Sequence, residues 1–323
     1  MSRRMKIWFI IGAALILLGS VGFAAVMTVN RWDFTRLNTV SYETNTYPLT
    51  ESVRNISVKT NVADVVLIPS EDGTCRVICH EEENDKHSVT LKNGTLTVEI
   101  EKTKKWYDYI GIAWGDPTIT VCLPAGAYGS LSVKGSTGDV EIPKDFSFES
   151  VDIAVSTGSV EQYASVSGGV RIKTSTGNIR LSDLRAGNVS LSVSTGRVTV
   201  SGVSCTGSVK IGVSTGECRL VNLVCGALFS EGGTGDMILE NVISDGKIEI
   251  ERSTGDVTLE KCDAAELAIE TDTGDVTGSL LSGKIFYVES DTGHIDVPRS
   301  EGSGVCEIET DTGDIQITVM GKS

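Results

Sequence analysis

Ten times between residues 137 and 313 an apolar-alternating run is broken by Thr-Gly, with the glycines at Gly138, Gly158, Gly177, Gly196, Gly216, Gly235, Gly255, Gly274, Gly293 and Gly313, each 19 or 20 residues from the last. A unit this short cannot bury its apolar face alone and has to stack on its neighbours. The spacing therefore constrains the chain to a repeat architecture before any other feature is considered.

With each glycine set to position zero, −7 runs from Leu131 to Cys306 and −5 from Val133 to Ile308; both are apolar apart from Ser230. Residues two apart share a strand face, so −7, −5, −3 and −1 are expected to point inward together. Position −1 is Thr in all ten repeats, and an inward Thr hydroxyl could bond the corner's backbone. After the glycine, +2 is apolar throughout and +4 mostly so, with Gln162 and Gly278 as exceptions. A third inward pair at +7 and +9 implies another corner near +5 or +6, and the uniformly small residues at +9, from Ser147 to Gly302, mark a crowded inner position. Three short inward-facing segments per repeat describe an all-β, single-chain β-solenoid of 19–20-residue coils. Like positions should stack ~4.8 Å apart, giving a rod on the order of 50 Å long.

Residues 7–29 carry no charge and are long enough to cross a bilayer as one transmembrane helix. Arg3, Arg4 and Lys6 precede them, so the positive-inside rule leaves residues 1–6 in the cytoplasm and the repeats outside. The alternative, a cleaved signal peptide, has a shorter apolar core of roughly 7–15 residues. The remaining organisation reads as a juxtamembrane linker over 30–55, degenerate first coils over 56–130 with Ala63 in a glycine slot, and regular repeats over 131–323. The final strand, DIQITVM at 314–320, is expected to be an uncapped edge able to pair with another chain.

The stretch 102–117 gathers Trp106, Tyr107, Tyr109 and Trp114 in a chain with 6% aromatics. It suits either an interaction surface for lipid headgroups, glycan or a protein, or a loop shielding the first coil. Cys218, Cys262 and Cys306 occupy core positions of the repeat, while Cys205 and Cys225 share the small slot and are near enough to bridge. Cys75, Cys79, His80 and His87 contain metal-ligating groups, but their spacing matches no strong zinc pattern.

Charge is uneven along the rod. Residues 249–323 hold 17 Asp plus Glu against 5 Lys plus Arg, or −12 of the chain's −15. The outward positions −4, −2 and +1 supply Glu270, Glu289, Glu309, Asp272, Asp291, Asp311, Asp275 and Asp314. Such a face fits a docking surface for a basic partner or weak calcium ligation, the five aspartates being the metal candidates; it equally fits a solvated surface that keeps edges apart. The net charge excludes nucleic acid as a partner. No nucleophile elbow, phosphate loop or HExxH motif is present, and coils this short leave no room for cleft-building loops, so neither catalytic residues nor a cofactor is expected.

The N-terminal apolar segment, NVADVVLIP, TITVCLP, and the STGDV, STGSV, STGNI, DTGDV and DTGDI coils together resemble a bacterial family of putative adhesins, a LiaG-like domain of unknown function, over about residues 50–320. The resemblance implies a β-strand-repeat ectodomain at the cell envelope and brings no catalytic residues with it; eight cysteines depart from the habit of exported bacterial proteins. The expected function is a noncatalytic, single-pass membrane protein presenting a surface for adhesion, binding or envelope-stress sensing. A self-assembling scaffold resembling bactofilins, stacked end to end, is the alternative.

Overall fold

The computed structural model describes residues 2–34, 40–101 and 115–320. Arg3–Val29 is a single α-helix, long and apolar enough to cross a membrane, and its most apolar stretch is not buried against the rest of the chain. Among the described residues, every regular element after Val40 is β: a solenoid of about ten turns whose repeats stack in parallel, in-register ladders. The register follows the repeat residue for residue, with Val151 against Val170, Val170 against Val189 and Val189 against Val209.

Each regular coil turns three corners. The first is the repeat glycine. The second falls at +6, where Asp183, Gly202, Asn222, Asn241 and Lys261 all have φ between 52° and 64°. That left-handed conformation is least costly for Gly, Asn and Asp, and Asn241 Nδ2 donates to Asn222 Oδ1 of the coil below at 2.8 Å. The third follows the small +9 slot, where Gly207, Gly226 and Gly246 each donate an N–H to the equivalent carbonyl one coil earlier. The three sides enclose a continuous core in which Leu191, Ile211, Leu220, Leu239 and Ile250 are all almost fully buried.

At the first corner two constraints coincide. Gly216 has φ +135°, and a Cβ there would collide with the carbonyl oxygen of Gly196 one coil below. The same approach recurs along the rod, and the Gly216 N–H in turn donates to Thr234 O at 2.8 Å, carrying the ladder around the bend.

The preceding threonine is not where alternation places it. All ten −1 threonines are exposed, as the chain turns between −3 and the glycine and carries the side chain to the outer surface. The inward hydroxyl belongs to −3. Thr174 Oγ1 donates to Gly158 O at 3.1 Å, Thr310 Oγ1 to Gly274 O at 3.2 Å and Ser290 Oγ to Gly313 O at 3.0 Å.

Coil order departs from chain order at both ends. Thr273 lies beside Thr312 rather than Thr292, and Thr312 then pairs with Thr292, so the last coil is inserted between its two predecessors. Ile315–Val319 pairs along its whole length with Val276–Leu280, and its first two residues, Ile315 and Gln316, pair on the other side with Ile295 and Asp296; the outermost distal coil is 285–296. Of the expected free edge at 314–320, Ile315 and Gln316 are thus internal, while Ile317–Val319 is paired on one side only among the described residues. At the other end Asn55–Lys59 sits between Thr95–Ile100 and the 131–134 strand, while Asp64–Pro69 sits between Thr118–Leu123 and Val140. Antiparallel strands close this end: His87–Lys92 covers Thr95–Ile100, Cys75–Glu82 covers Thr118–Leu123, and Tyr42–Leu49 pairs with Cys75–Glu82.

One core position explains an irregularity of the repeat. Arg252, at −3, is buried, and its Nη2 donates to Ser230 Oγ at 3.0 Å; Gly232 leaves the space that the side chain fills. Ser230 and Gly232 are small and polar because the next coil supplies the volume, and burial pushes the Arg252 pKa down. All eight cysteines are unbridged, and burial pushes the thiols of Cys218 and Cys306 up to about 12, leaving them protonated core residues.

Two outcomes test this arrangement. Gly216→Val should destabilise the rod by about 2–3 kcal/mol in thermal melts, because both its torsion and its contact are lost. Paired Thr273→Cys and Thr312→Cys should form a disulfide on mild oxidation, whereas Thr273→Cys with Thr292→Cys, two strand spacings or ~9.6 Å apart, should not.

Candidate interaction surfaces

Position +1 carries a side chain ladder that runs beside the glycine corner. Asp64 Oδ1 accepts the Asp139 N–H at 2.8 Å, and Asp139 Oδ1 accepts that of Ser159 at 2.7 Å. The pattern continues from Ser159 to Asn178 and from Asn178 to Arg197. There it lapses, and the +1 side chains form an ion pair instead, Arg197 Nε to Glu217 Oε1 at 3.1 Å. It resumes from Asp236 to Asp256 to Asp275, passes to Asp314, and ends when Asp314 Oδ1 accepts the His294 N–H at 2.7 Å. Each of these carboxylates caps a turn amide in the next coil, much as an N-cap residue serves a helix. Two of the proposed metal candidates, Asp275 and Asp314, therefore each commit one oxygen to the backbone.

The outward file at −4 aligns as Glu231, Glu251, Glu270, Glu309, Glu289 in successive coils. Glu270, Glu289 and Glu309 are exposed, as are Asp272, Asp291 and Asp311 at −2. Carboxylates ~4.8 Å apart repel by about 1 kcal/mol in water. An exposed file sustains that without a bound cation, while still producing a strongly negative ridge. Beside it lie the ten −1 threonines, whose hydroxyls form no hydrogen bond within the chain among the described residues.

The distal coil offers the other distinct surface. Phe286–Thr292 pairs with the inserted coil on one side only, and its core-facing Phe286 and Val288 are half-buried where other coils bury the equivalents fully. Ile295, at +2, is 40% exposed, whereas the same position elsewhere is at most 2% exposed. Ile285 and Tyr287 add exposures of 41% and 61%. Part of the edge is capped from within, since the Phe286 N–H donates to Ser300 Oγ at 3.0 Å. The rest combines open backbone, apolar side chains and the carboxylates of Glu289, Asp291 and Asp296.

The aromatic stretch with Trp106, Tyr107, Tyr109 and Trp114 lies outside the described residues. Of the sequence-suggested Cys/His group, His80 faces outward, stacked on Tyr42 at 5.6 Å, with Nδ1 3.0 Å from Thr44 Oγ1. Cys75 is half-buried, and Cys79 and His87 are buried together at the proximal end. Sequence reading missed Glu81, which lies with them; the clue was its place two residues after Cys79 on one strand face. For the capping ladder, Asp256→Ala should cost about 1 kcal/mol in chemical denaturation, and Asp256→Asn should restore most of it by keeping the acceptor oxygen.

Among curated proteins none matches the chain significantly. Several solved structures resemble it. One, described as a putative adhesin from Parabacteroides merdae, is 12% identical with a TM-score of 0.48, covering 87% of this chain and 98% of that one. A putative adhesin from Bacteroides fragilis is 17% identical with a TM-score of 0.38, over 86% and 97% of the two chains. A putative lipid binding protein from Parabacteroides distasonis is 14% identical with a TM-score of 0.31, over 88% and 98%. The family assignment comes from sequence, where the Toastrack DUF4097 model matches residues 53–318, spanning the first coil, the proximal strands and every regular repeat. The chain belongs to the Toastrack DUF4097 family.

Proposed function

We propose that this protein is a noncatalytic rod anchored in the cell membrane by residues 7–29, with its repeats outside the cytoplasm, and that it binds an envelope component, a protein or a glycan, through its distal end and the adjoining acidic ridge. The observation that carries this reading is the difference between the two ends. The proximal end is covered by antiparallel strands. Among the described residues, the two that pair on one side only, Tyr42–Leu49 and His87–Lys92, expose no large apolar side chain. The distal end leaves an unpaired strand edge with Ile285, Tyr287 and Ile295 exposed. Exposed edges are normally shortened, charged or covered, and an edge left open with apolar side chains is suited to pairing with an extended segment. Glu289, Asp291 and Asp296 favour a segment that alternates apolar with basic residues.

Arg3, Arg4 and Lys6 support the orientation, by the positive-inside rule. End-to-end stacking into a filament, the scaffold alternative, joins the distal edge of one rod to the proximal edge of the next and needs complementary ends. The side chains exposed at Ile285, Tyr287 and Ile295 have no exposed apolar counterpart on Tyr42–Leu49 or His87–Lys92, and a pairing of distal ends is opposed by their like charges.

Retention of envelope components by the full-length protein in detergent should fall several-fold for Val288→Lys with Ile295→Lys, and for Asp272, Asp291 and Asp311 changed together to Ser. Equal retention by the native protein and both variants would remove this reading. Turnover of an acidic polysaccharide would replace it with an enzymatic one.

A further inference from the structure

A second site lies at the opposite end of the rod, independent of the binding surface above. Strand alternation on Cys75–Glu82 turns Val77, Cys79 and Glu81 toward the interior. The chain then turns over residues 83–86 and brings His87, the first residue of His87–Lys92, back against them. The Cys79 thiol, a Glu81 carboxylate oxygen and a His87 ring nitrogen lie within 4.8 Å of one another, and all three residues are buried. We propose that Cys79, Glu81 and His87 form a binding site for a zinc-class divalent metal ion that ties the proximal strand Cys75–Glu82 to the start of His87–Lys92.

The surrounding contacts are those of an assembled site. Glu81 is 1% exposed. Its Oε1 accepts from Asn45 Nδ2 at 2.9 Å, and its Oε2 accepts the His87 backbone N–H at 2.7 Å, with His87 Nδ1 also 2.7 Å away. The other ring nitrogen, Nε2, is 3.2 Å from Thr60 Oγ1. In the tautomer in which Nε2–H donates to Thr60, Nδ1 presents a lone pair toward Glu81 Oε2, and a proton or a cation has to lie between the two. Oε1 is thus held by Asn45 and Nε2 by Thr60, while Oε2 and Nδ1 face each other at the shared point, Oε2 also accepting the His87 backbone N–H. Metal-binding histidines and carboxylates are typically oriented in this way.

Charge and size are compatible with a metal ion. A carboxylate this deeply buried is costly unless it is paired. Within the chain the partners of Glu81 are His87 Nδ1 at 2.7 Å, the His87 backbone N–H and Asn45, and a divalent ion would take the place of the first of these. Lys86 is paired with Glu43 at 2.5 Å. Ligand atoms around tetrahedral zinc sit about 3.3–3.8 Å apart, given bond lengths of roughly 2.0–2.3 Å. Nδ1 and Oε2, now 2.7 Å apart, would therefore open by about 0.6 Å to admit the ion, while the Cys79 thiol, within 4.8 Å of a Glu81 oxygen and a His87 ring nitrogen, completes the set. A cavity of about 290 Å³, lined in part by Thr60 and Asn61, adjoins Glu81 and His87. One sulfur, one imidazole nitrogen and one carboxylate oxygen suit zinc far better than calcium, which prefers six or more oxygens. In the metal-free protein, burial pushes the Cys79 thiol up to about 12, so metal binding must release its proton.

The site is tested on the full-length protein in detergent, with zinc and cobalt as probes. Titration calorimetry should give one zinc ion per chain, cobalt should produce a thiolate-to-metal charge-transfer band, and zinc should raise the melting temperature. Cys79→Ser should abolish the band and weaken zinc binding by more than about 100-fold. X-ray absorption of the zinc-loaded native protein should show one sulfur among nitrogen and oxygen neighbours, a readout that does not require any variant to fold. The absence of a cobalt band, a band that survives Cys79→Ser, or a zinc shell with no sulfur or with two would overturn the assignment.

Discussion

The structure depends on backbone meeting backbone at the glycine corner. Parallel in-register stacking brings each corner to within a strand spacing of the one below, and there the main chain of one coil lies directly over a carbonyl of its neighbour. In the first coil Ala63 holds this position; in the regular coils no side chain fits between carbonyl and main chain, so the corner there is glycine whatever else the coil contains. Its position also fixes the phase of the coil. The carbonyl and N–H of the bend continue the ladder, −3 hydroxyls reach the glycine carbonyl from inside, and +1 oxygens cap the next amide from outside. One close contact thus sets where three kinds of hydrogen bond can form.

That contact also explains why the motif reads Thr-Gly-Asp without being a binding motif. Glycine serves the approach, and aspartate serves an amide one coil away. Where +1 becomes Arg197 and Glu217 the cap is replaced by an ion pair, and the ladder stops at His294, in the coil that has no further neighbour to cap. The Asp enrichment of the distal repeats therefore has a structural component at +1 and a purely superficial one at −2 and −4. Only the latter is free to meet a partner. The threonine stands apart: its exposed hydroxyl has no intrachain task, and nothing in the structure explains why it is Thr ten times over.

The fold was legible from sequence because period and alternation are local signals. The apolar positions −7, −5, +2 and +4, the small +9 slot, the corner near +6 and the glycine substitute Ala63 can all be read from spacing alone. Three things were hidden for physical reasons. The direction of the −1 side chain depends on a bend inside the strand, which a strict period of two ignores. Coil order depends on long-range pairing: Leu267 accepts Cys306 as a neighbour as readily as it would Phe286, since both present an apolar residue in register. The Cys79, Glu81 and His87 group is assembled by a strand face and a turn, and a search for linear ligand spacing passes over the glutamate.

The inserted final coil changes what kind of edge the rod exposes. Had the coils stacked in chain order, Ile315–Val319 would have been the outermost strand. Instead it pairs throughout with Val276–Leu280 and over Ile315 and Gln316 with Ile295 and Asp296, and the exposed edge at Ile285–Thr292 is tied at both ends, by the turn from Leu280 and by residues 297–304 leading back into the sheet. An edge held at both ends has little conformational freedom left to lose when another strand joins it. Pre-organisation of this kind lowers the ordering cost of association and leaves more of the backbone and apolar contact as affinity. The insertion thus turns the end position of the solenoid into a template held at both ends, opposite the proximal strands.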